Sequence, residues 1–182
     1  MCPVDPRRAR FDALYADHYR AVYAYVYRRL ALTADVPDVT AEVFAVVWRR
    51  LDDVPAGDGE RLWLYGVARR CVARARRGDL RRVRLLGRLT EQAGGWTDPP
   101  YADSRAPEVR AAIERLRSRD REVLRLVMWE QLSHAEAAVV LGCSVNAVAQ
   151  RLHTARERLR AELAGPGARS VESTQKVDIH GP

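Results

Sequence analysis

The chain has 182 residues, a formal net charge of +7 and a pI near 9.8. That length holds one medium domain or two small ones, and the basic balance favours an acidic partner, since clustered arginines gain affinity by displacing counterions from a phosphate backbone. Three cysteines, Cys2, Cys71 and Cys143, are too few and too far apart for a zinc framework or a secreted disulfide scaffold. No stretch approaches the roughly 20 apolar residues of a membrane span, and the first residues lack the basic and apolar regions of a signal peptide, so a soluble cytoplasmic protein without membrane contact is expected. Lys176 is the only lysine, and the placement of the arginines is therefore more informative than their identity.

From Phe11 to Leu30, Tyr15, Tyr19, Tyr23 and Tyr27 form one stripe at helical spacing, with Leu14, Val22, Val26 and Leu30 beside it. Tyrosines at steps of four are read as half-buried packing residues rather than a base-stacking surface. Asp35 is placed to cap a second helix, with Pro37 in its first turn and Val39, Val43, Phe44, Val47, Trp48 and Leu51 continuing it. The segment 52–59 interrupts the periodicity. A third helix is predicted from about Glu60 through Leu62, Trp63, Tyr65, Val67, Ala68 and Val72. It runs into Arg69, Arg70, Arg74, Arg76, Arg77, Arg81, Arg82, Arg84 and Arg88, with Asp79 as the one nearby acid. Such a run repels itself unless an anion neutralises it, so nucleic acid contact is preferred over a merely solvated face.

Residues 87–106, with Gly94, Gly95, Pro99, Pro100 and Ser104, have the composition of a linker. Beyond it, Val109, Ile113 and Leu116 predict a short helix, and Ser118 is placed to cap another carrying Val123, Leu124, Leu126, Val127 and Trp129. In Leu132 to Leu152, Ser133 and Glu136 have the spacing of a capping box, Gly142 stands where a short helix must reverse, and Ser144 can cap the helix that follows. Ala138 is small enough for two helices to cross, and Val148 and Leu152 supply the inward side of the second. This is a helix-turn-helix whose second helix suits a DNA major groove, offering Asn146, Gln150, Arg151, His153, Thr154 and Arg156 outward. Residues 165–182 are expected to be disordered.

No strand-like alternation and no internal repeat appear, so the fold class is all-α. Two helical domains are expected, at 8–86 and 107–164, joined by the flexible linker. His18, His134, His153 and His180 lie in separate segments, and no Ser/His/Asp set, paired carboxylates, phosphate loop or HExxH is present. The expected chemistry is binding: no catalytic residue, metal site or cofactor is predicted.

The first half decides what kind of DNA-binding protein this is. Asp38-Val39-Thr40-Ala41-Glu42-Val43-Phe44, followed by Trp48, resembles the acidic helix of extracytoplasmic-function sigma factors of the sigma-70 family. Trp63-Leu64-Tyr65-Gly66-Val67-Ala68-Arg69-Arg70 resembles their minus-ten helix. Leu116, Arg121 to Leu124, Leu141-Gly142 and Arg151-Leu152-His153-Thr154-Ala155-Arg156 resemble their minus-thirty-five domain. The resemblance spans about Phe11 to Leu163 and implies sigma regions 2 and 4.

It further implies three surfaces. Asp38, Val39, Glu42, Phe44 and Trp48 would bind the β′ clamp helices of core RNA polymerase. The loop from Val54 to Glu60, with Gly57, Asp58 and Gly59, would hold one flipped promoter base, although a plain surface turn reads nearly as well. With Arg61, Tyr65, Arg69, Arg70, Arg74 and Arg77 it makes the minus-ten set, within which Trp63 and Tyr65 read first as packing residues. Ser144, Asn146, Gln150, Arg151, His153, Thr154 and Arg156 make the minus-thirty-five set. Implied partners are core polymerase, through the clamp helices and the β flap, promoter DNA, and an anti-sigma protein.

Four positions depart from the family pattern. Ala41 replaces a common glutamine, Arg70 a frequent asparagine, and Ala147 and Ala149 a threonine and a basic residue. A stand-alone helix-turn-helix regulator would leave Asp38 to Trp48 without purpose. A sigma-like adaptor without promoter activity would accommodate the three alanines.

Overall fold

The computed structural model describes residues 5–30, 32–86 and 106–164, with the backbone alone for 79–86 and 106–107. Within them lie seven α-helices and no strand: α1 (Pro6–Tyr27), α2 (Val36–Arg49), α3 (Gly59–Leu86), α4 (Ala106–Arg115), α5 (Ser118–Met128), α6 (His134–Leu141) and α7 (Val145–Ala164). The all-α expectation holds for these residues. The predicted linker and tail lie outside the described residues, apart from Ala106, and so do Arg88 and the side chains of Asp79, Arg81, Arg82 and Arg84.

Contacts divide the chain into two units. One holds α1, α2 and α3 together with residues 135–143; the other holds α4, α5 and α7. This division departs from a simple break at the linker in placing most of α6 with the first unit.

In the first unit α1, α2 and α3 pack pairwise. Asp5 starts α1 earlier than apolar spacing alone suggests: its carboxylate accepts from the Arg7 N–H at 3.0 Å, and Pro6 needs no partner in the first turn. Asp35 behaves differently from expectation. It closes a 3-10 turn, Thr33–Asp35, with helical backbone angles of φ −84° and ψ −8°, and its side chain caps nothing. α2 then buries Val36, Val39, Thr40, Val43, Phe44 and Val47 against α1 and α3.

At the lower end of this bundle Arg29, only 2% exposed, lies over the Tyr25 ring, 3.4 Å from its centroid. Its Nη1 donates to the Tyr25 carbonyl at 3.1 Å. Tyr25 in turn stacks on Tyr65 of α3, with centroids 5.0 Å apart and planes at 21°. Arg76 donates from Nε to the Arg29 carbonyl at 2.8 Å, which ties α3 to the end of α1. A guanidinium can be desolvated here because an aromatic face and the Tyr25 carbonyl oxygen replace part of its water.

The second unit is built on α7, which packs against α5 and α4. Its buried stripe, Val148, Leu152, Ala155 and Leu159, follows helical spacing, and α4, α5 and the turn between them bury Ala112, Ile113, Leu116, Val123, Leu124 and Leu126. Arg158 pairs with the buried Asp120, and Arg115 reaches Glu162 at 2.8 Å, so both neighbours of α7 are also held by ion pairs. Ser118 is the first residue of α5 rather than its cap; Arg117 occupies the cap position without a side-chain bond.

The turn after α6 behaves as its sequence predicts. Gly142 has φ +66°, the Cys143 N–H bonds the Ala138 carbonyl at 3.1 Å, and the Gly142 N–H bonds that of Val139 at 3.3 Å. These two bonds are the Schellman pattern, which satisfies carbonyls left over at a helix end. Ser144 then accepts the Ala147 N–H on its Oγ at 3.2 Å and caps α7. A Cβ at Gly142 meets nothing within 4 Å. Gly142→Ala is therefore expected to cost only the left-handed backbone penalty, about 1–2 kcal/mol, read as a lowered urea midpoint.

Candidate nucleic-acid and protein interfaces

The outer side of α2 presents Asp38, Ala41, Ala45 and Trp48, all exposed, at three- and four-residue steps. Asp38 lies in the first turn, where the helix dipole favours its charge. Phe11, Tyr15, Tyr19, Pro37, Ala41, Phe44, Ala45 and Trp48 line an open groove of about 380 Å³ between α1 and α2. Phe44 is the floor, since it meets Tyr15 at 4.7 Å and Tyr19 at 6.0 Å between centroids. Trp48 stays 40% exposed, edge-on to Phe11 at 5.2 Å, with the Arg7 guanidinium 5.5 Å from its ring.

Val39 and Phe44 of the predicted docking set are buried. Val39 packs inside the bundle, and Phe44 reaches the surface only as the floor of the groove, so both orient this side of α2 more than they project from it. Within the tyrosine stripe Tyr19, Tyr23 and Tyr27 are half-buried, as packing residues at that spacing should be, whereas Tyr15 is 42% exposed on the groove. The groove itself was not foreseen, although the stripe was its visible signal.

The loop between α2 and α3 carries Gly57 at φ +68°, a left-handed turn favouring glycine. Its carbonyl accepts the Glu60 N–H at 3.0 Å. A Cβ on Gly59 would come within 2.9 Å of Pro55 Cβ, so glycine is also needed there for close approach of the loop's two arms. Gly57 and Asp58 are exposed, and Gly59 and Arg61 are half-buried.

Along α3, Arg70, Arg74 and Arg77 fall on one side at four- and three-residue steps, with Arg69 beside them, and all four are exposed. Arg76 points inward to α1, as described above. Tyr65, at 4% exposure and stacked on Tyr25, is packed inside the bundle, in line with its first reading, and is not presented on the surface with the rest of the minus-ten set. Arg74 also has a partner that the sequence did not suggest. Its Nη2 lies 2.5 Å from Glu42 Oε1 on α2, so Asp79 is not the only acid near the arginine run. The pair links a residue expected to face polymerase with one expected to face DNA. Exposed as it is, it contributes at most about 1 kcal/mol. Next to it, burial and the Glu42 charge raise the Cys71 thiol above its ordinary range, which keeps it protonated and poorly nucleophilic.

On α7, Asn146, Gln150, His153, Thr154 and Arg156 are exposed and Arg151 is half-buried, opposite the stripe that faces α4 and α5. Ser144 Oγ is occupied as an acceptor by its cap, although its hydroxyl hydrogen remains available to donate. This surface combines amide, hydroxyl, imidazole and guanidinium groups, the types that hydrogen-bond base edges and phosphates.

Residues 14–82 match the Sigma-70 region 2 family and residues 107–159 match Sigma-70, region 4. The RNA polymerase sigma factor NccH of Alcaligenes xylosoxydans xylosoxydans is 31% identical over 137 residues, covering 71% of this chain and 74% of that protein. The ECF RNA polymerase sigma factor SigL of Mycobacterium tuberculosis is 30% identical over 167 residues, covering 85% of this chain and 89% of the other. The chain belongs to the extracytoplasmic-function RNA polymerase sigma factors. Two solved structures share the fold. CnrH in complex with the cytosolic domain of CnrY aligns with a TM-score of 0.58 at 27% identity, over 86% of this chain and 88% of that one. The sigma factor RpoE in complex with the anti-sigma factor NepR from Bartonella quintana aligns with a TM-score of 0.71 at 20% identity, over 86% and 98%.

Promoter-specific initiation is the general function of this family, whose members bind core RNA polymerase and promoter DNA as regulatory, non-catalytic subunits. In this sigma factor region 2 is the α1–α3 bundle, and the region 4 match runs from α4 into α7. Among the described residues no helix is long and apolar enough to cross a membrane, and no cluster of histidine, cysteine and acidic groups could hold a metal.

Proposed function

We propose that this sigma factor docks on the β′ clamp helices of core polymerase through the exposed side of α2, with Asp38 as the principal charge and Trp48 at the groove's end. The loop 54–60 captures one flipped base of the minus-ten element, and Arg69, Arg70, Arg74 and Arg77 hold the neighbouring backbone. The outer side of α7 reads the minus-thirty-five element, while region 4 engages the β flap. The functional division on this reading is 8–86 for region 2 and 107–164 for region 4. The observation that carries it is the segregation on α7: Asn146, Gln150, His153 and Thr154 face outward while Val148, Leu152 and Ala155 are buried, leaving the polar side unoccupied by the protein's own packing.

The chain acts in the cytoplasm, where polymerase works, and performs no bond-making chemistry of its own. An anti-sigma protein is its expected inhibitor, supported by the complex of CnrH with the cytosolic domain of CnrY. Run-off transcription with purified core polymerase and genomic fragments tests the proposal. Transcripts starting at a shared sequence pattern are expected, and no transcript from any fragment would leave the adaptor reading in its place.

A further inference from the structure

Two side chains of α1 grip the two ends of the loop 54–60. Arg10 Nη2 donates to the Val54 carbonyl at 2.6 Å, where the chain enters the loop and the Val54 side chain is buried. His18 Nε2 lies 3.3 Å from Glu60 Oε2, where the chain leaves it, and both side chains are partly buried. Arg10 and His18 are two helical turns apart, about 12 Å along the axis, with the buried Leu14 between them on the same side. Between the two anchors Pro55, Ala56, Gly57 and Asp58 are all exposed. The acids just before the loop are paired at the surface: Arg7 with Asp52 at 2.8 Å, and Arg50 with Asp53 at 2.7 Å.

A turn with two glycines has many accessible shapes, and a pocket that discriminates among bases needs one of them. Interior bonds do not supply this, since the Glu60 N–H to Gly57 carbonyl bond closes only its last turn. A rigid helix touching both ends does. We infer that Arg10 and His18 are positioning residues for base capture, setting the spacing of the loop's ends so that its exposed tip fits one base. The inference rests on the reading of this loop as the base pocket.

The test uses holoenzyme and fork DNA, with each of the four bases placed in turn at every unpaired minus-ten position. Fluorescence anisotropy gives, for the unaltered protein, the ratio of affinities between the preferred base and an abasic site. Reading one base is worth on the order of tenfold in affinity. Arg10→Met and His18→Ala, singly and together, are expected to erase most of that ratio while core binding and the thermal transition stay near those of the unaltered protein. Arg10→Lys and His18→Gln, which keep a donor at each position, should restore much of it. A merely structural role would lower all DNA affinities together and leave the ratio intact. The reference variant is Asp58→Ala with Gly57→Val. If it collapses the ratio and the anchor variants do not, the inference is wrong and the loop reading stands. If the reference variant also leaves the ratio unchanged, the loop is not the pocket, and both are overturned.

Discussion

Asp38→Arg is expected to abolish holoenzyme formation at concentrations where the unaltered protein binds core polymerase fully. Asp38 is exposed in the first turn of α2 beside the aromatic groove, and no packing constrains the replacement. Reversing a charge at a complementary interface places like charges together, which costs several kcal/mol. A loss of at least about 100-fold in affinity follows, since each 1.4 kcal/mol is about tenfold. The cost to the fold is small, about 0.3–1 kcal/mol for the lost dipole interaction. Glu42→Gln is the informative partner, because Glu42 is already partly neutralised by Arg74 and should matter less. Size-exclusion or surface-plasmon measurements with core enzyme check both variants. Unchanged holoenzyme formation by Asp38→Arg would show that the clamp contact lies elsewhere.

The second large effect is expected on α7. Gln150 is exposed one turn beyond Asn146, near the start of the helix where a recognition helix meets base edges. Gln150→Ala should lower affinity for the minus-thirty-five element by about 5- to 150-fold, the equivalent of 1–3 kcal/mol for a bidentate base contact, and relax preference at one position. Arg151→Ala should likewise weaken recognition of the upstream element. Arg156→Ala should differ in kind. As a phosphate contact further along the helix, it should weaken binding to all sequences alike and lower the slope of log affinity against log salt by about 1. Binding titrations of the holoenzyme on promoter variants at several salt concentrations separate the two behaviours. A uniform loss for Gln150→Ala would remove it from the base-reading set.

The departures at Ala41, Ala147 and Ala149 bear on these expectations. Ala41 lines the groove without filling it, so on the proposed reading docking there would rely on shape and on Asp38 rather than on an amide hydrogen bond. Ala149 is exposed on α7 and offers no hydrogen bond. On the proposed reading discrimination would be left to Asn146, Gln150 and the residues beyond, which makes a shifted promoter preference the expected outcome of sequencing holoenzyme-bound DNA.

Where the sequence was sufficient, its signals were local. Helical periodicity, Pro37, the reversal at Gly142 and the cap at Ser144 all depend on residues within one or two turns of each other, and these same residues form the helices and the turn. Order along the chain carried the class: an acidic helix, a tryptophan and arginine helix, then the reader. Two caps failed for an equally local reason. A neighbouring 3-10 turn claimed Asp35, and Ser118 was drawn into α5 itself.

Tertiary structure decided what required helices distant in sequence to meet. Tyr65 reads as a packing residue without a partner until Tyr25 stacks on it, and Glu42 and Arg74 look like residues of separate surfaces until α2 and α3 bring them together. Arg10 and His18 have no signature at all in the chain, because a charged residue on a helix edge looks the same whether it faces water or a loop some 40 residues away. The sequence alone determined a two-part helical polymerase subunit with a DNA-reading helix. Which side chains remain free to bind, and which are spent holding the loop and the bundle, was decided only by packing, since burial and long-range pairing are properties of the assembled helices and not of any one of them.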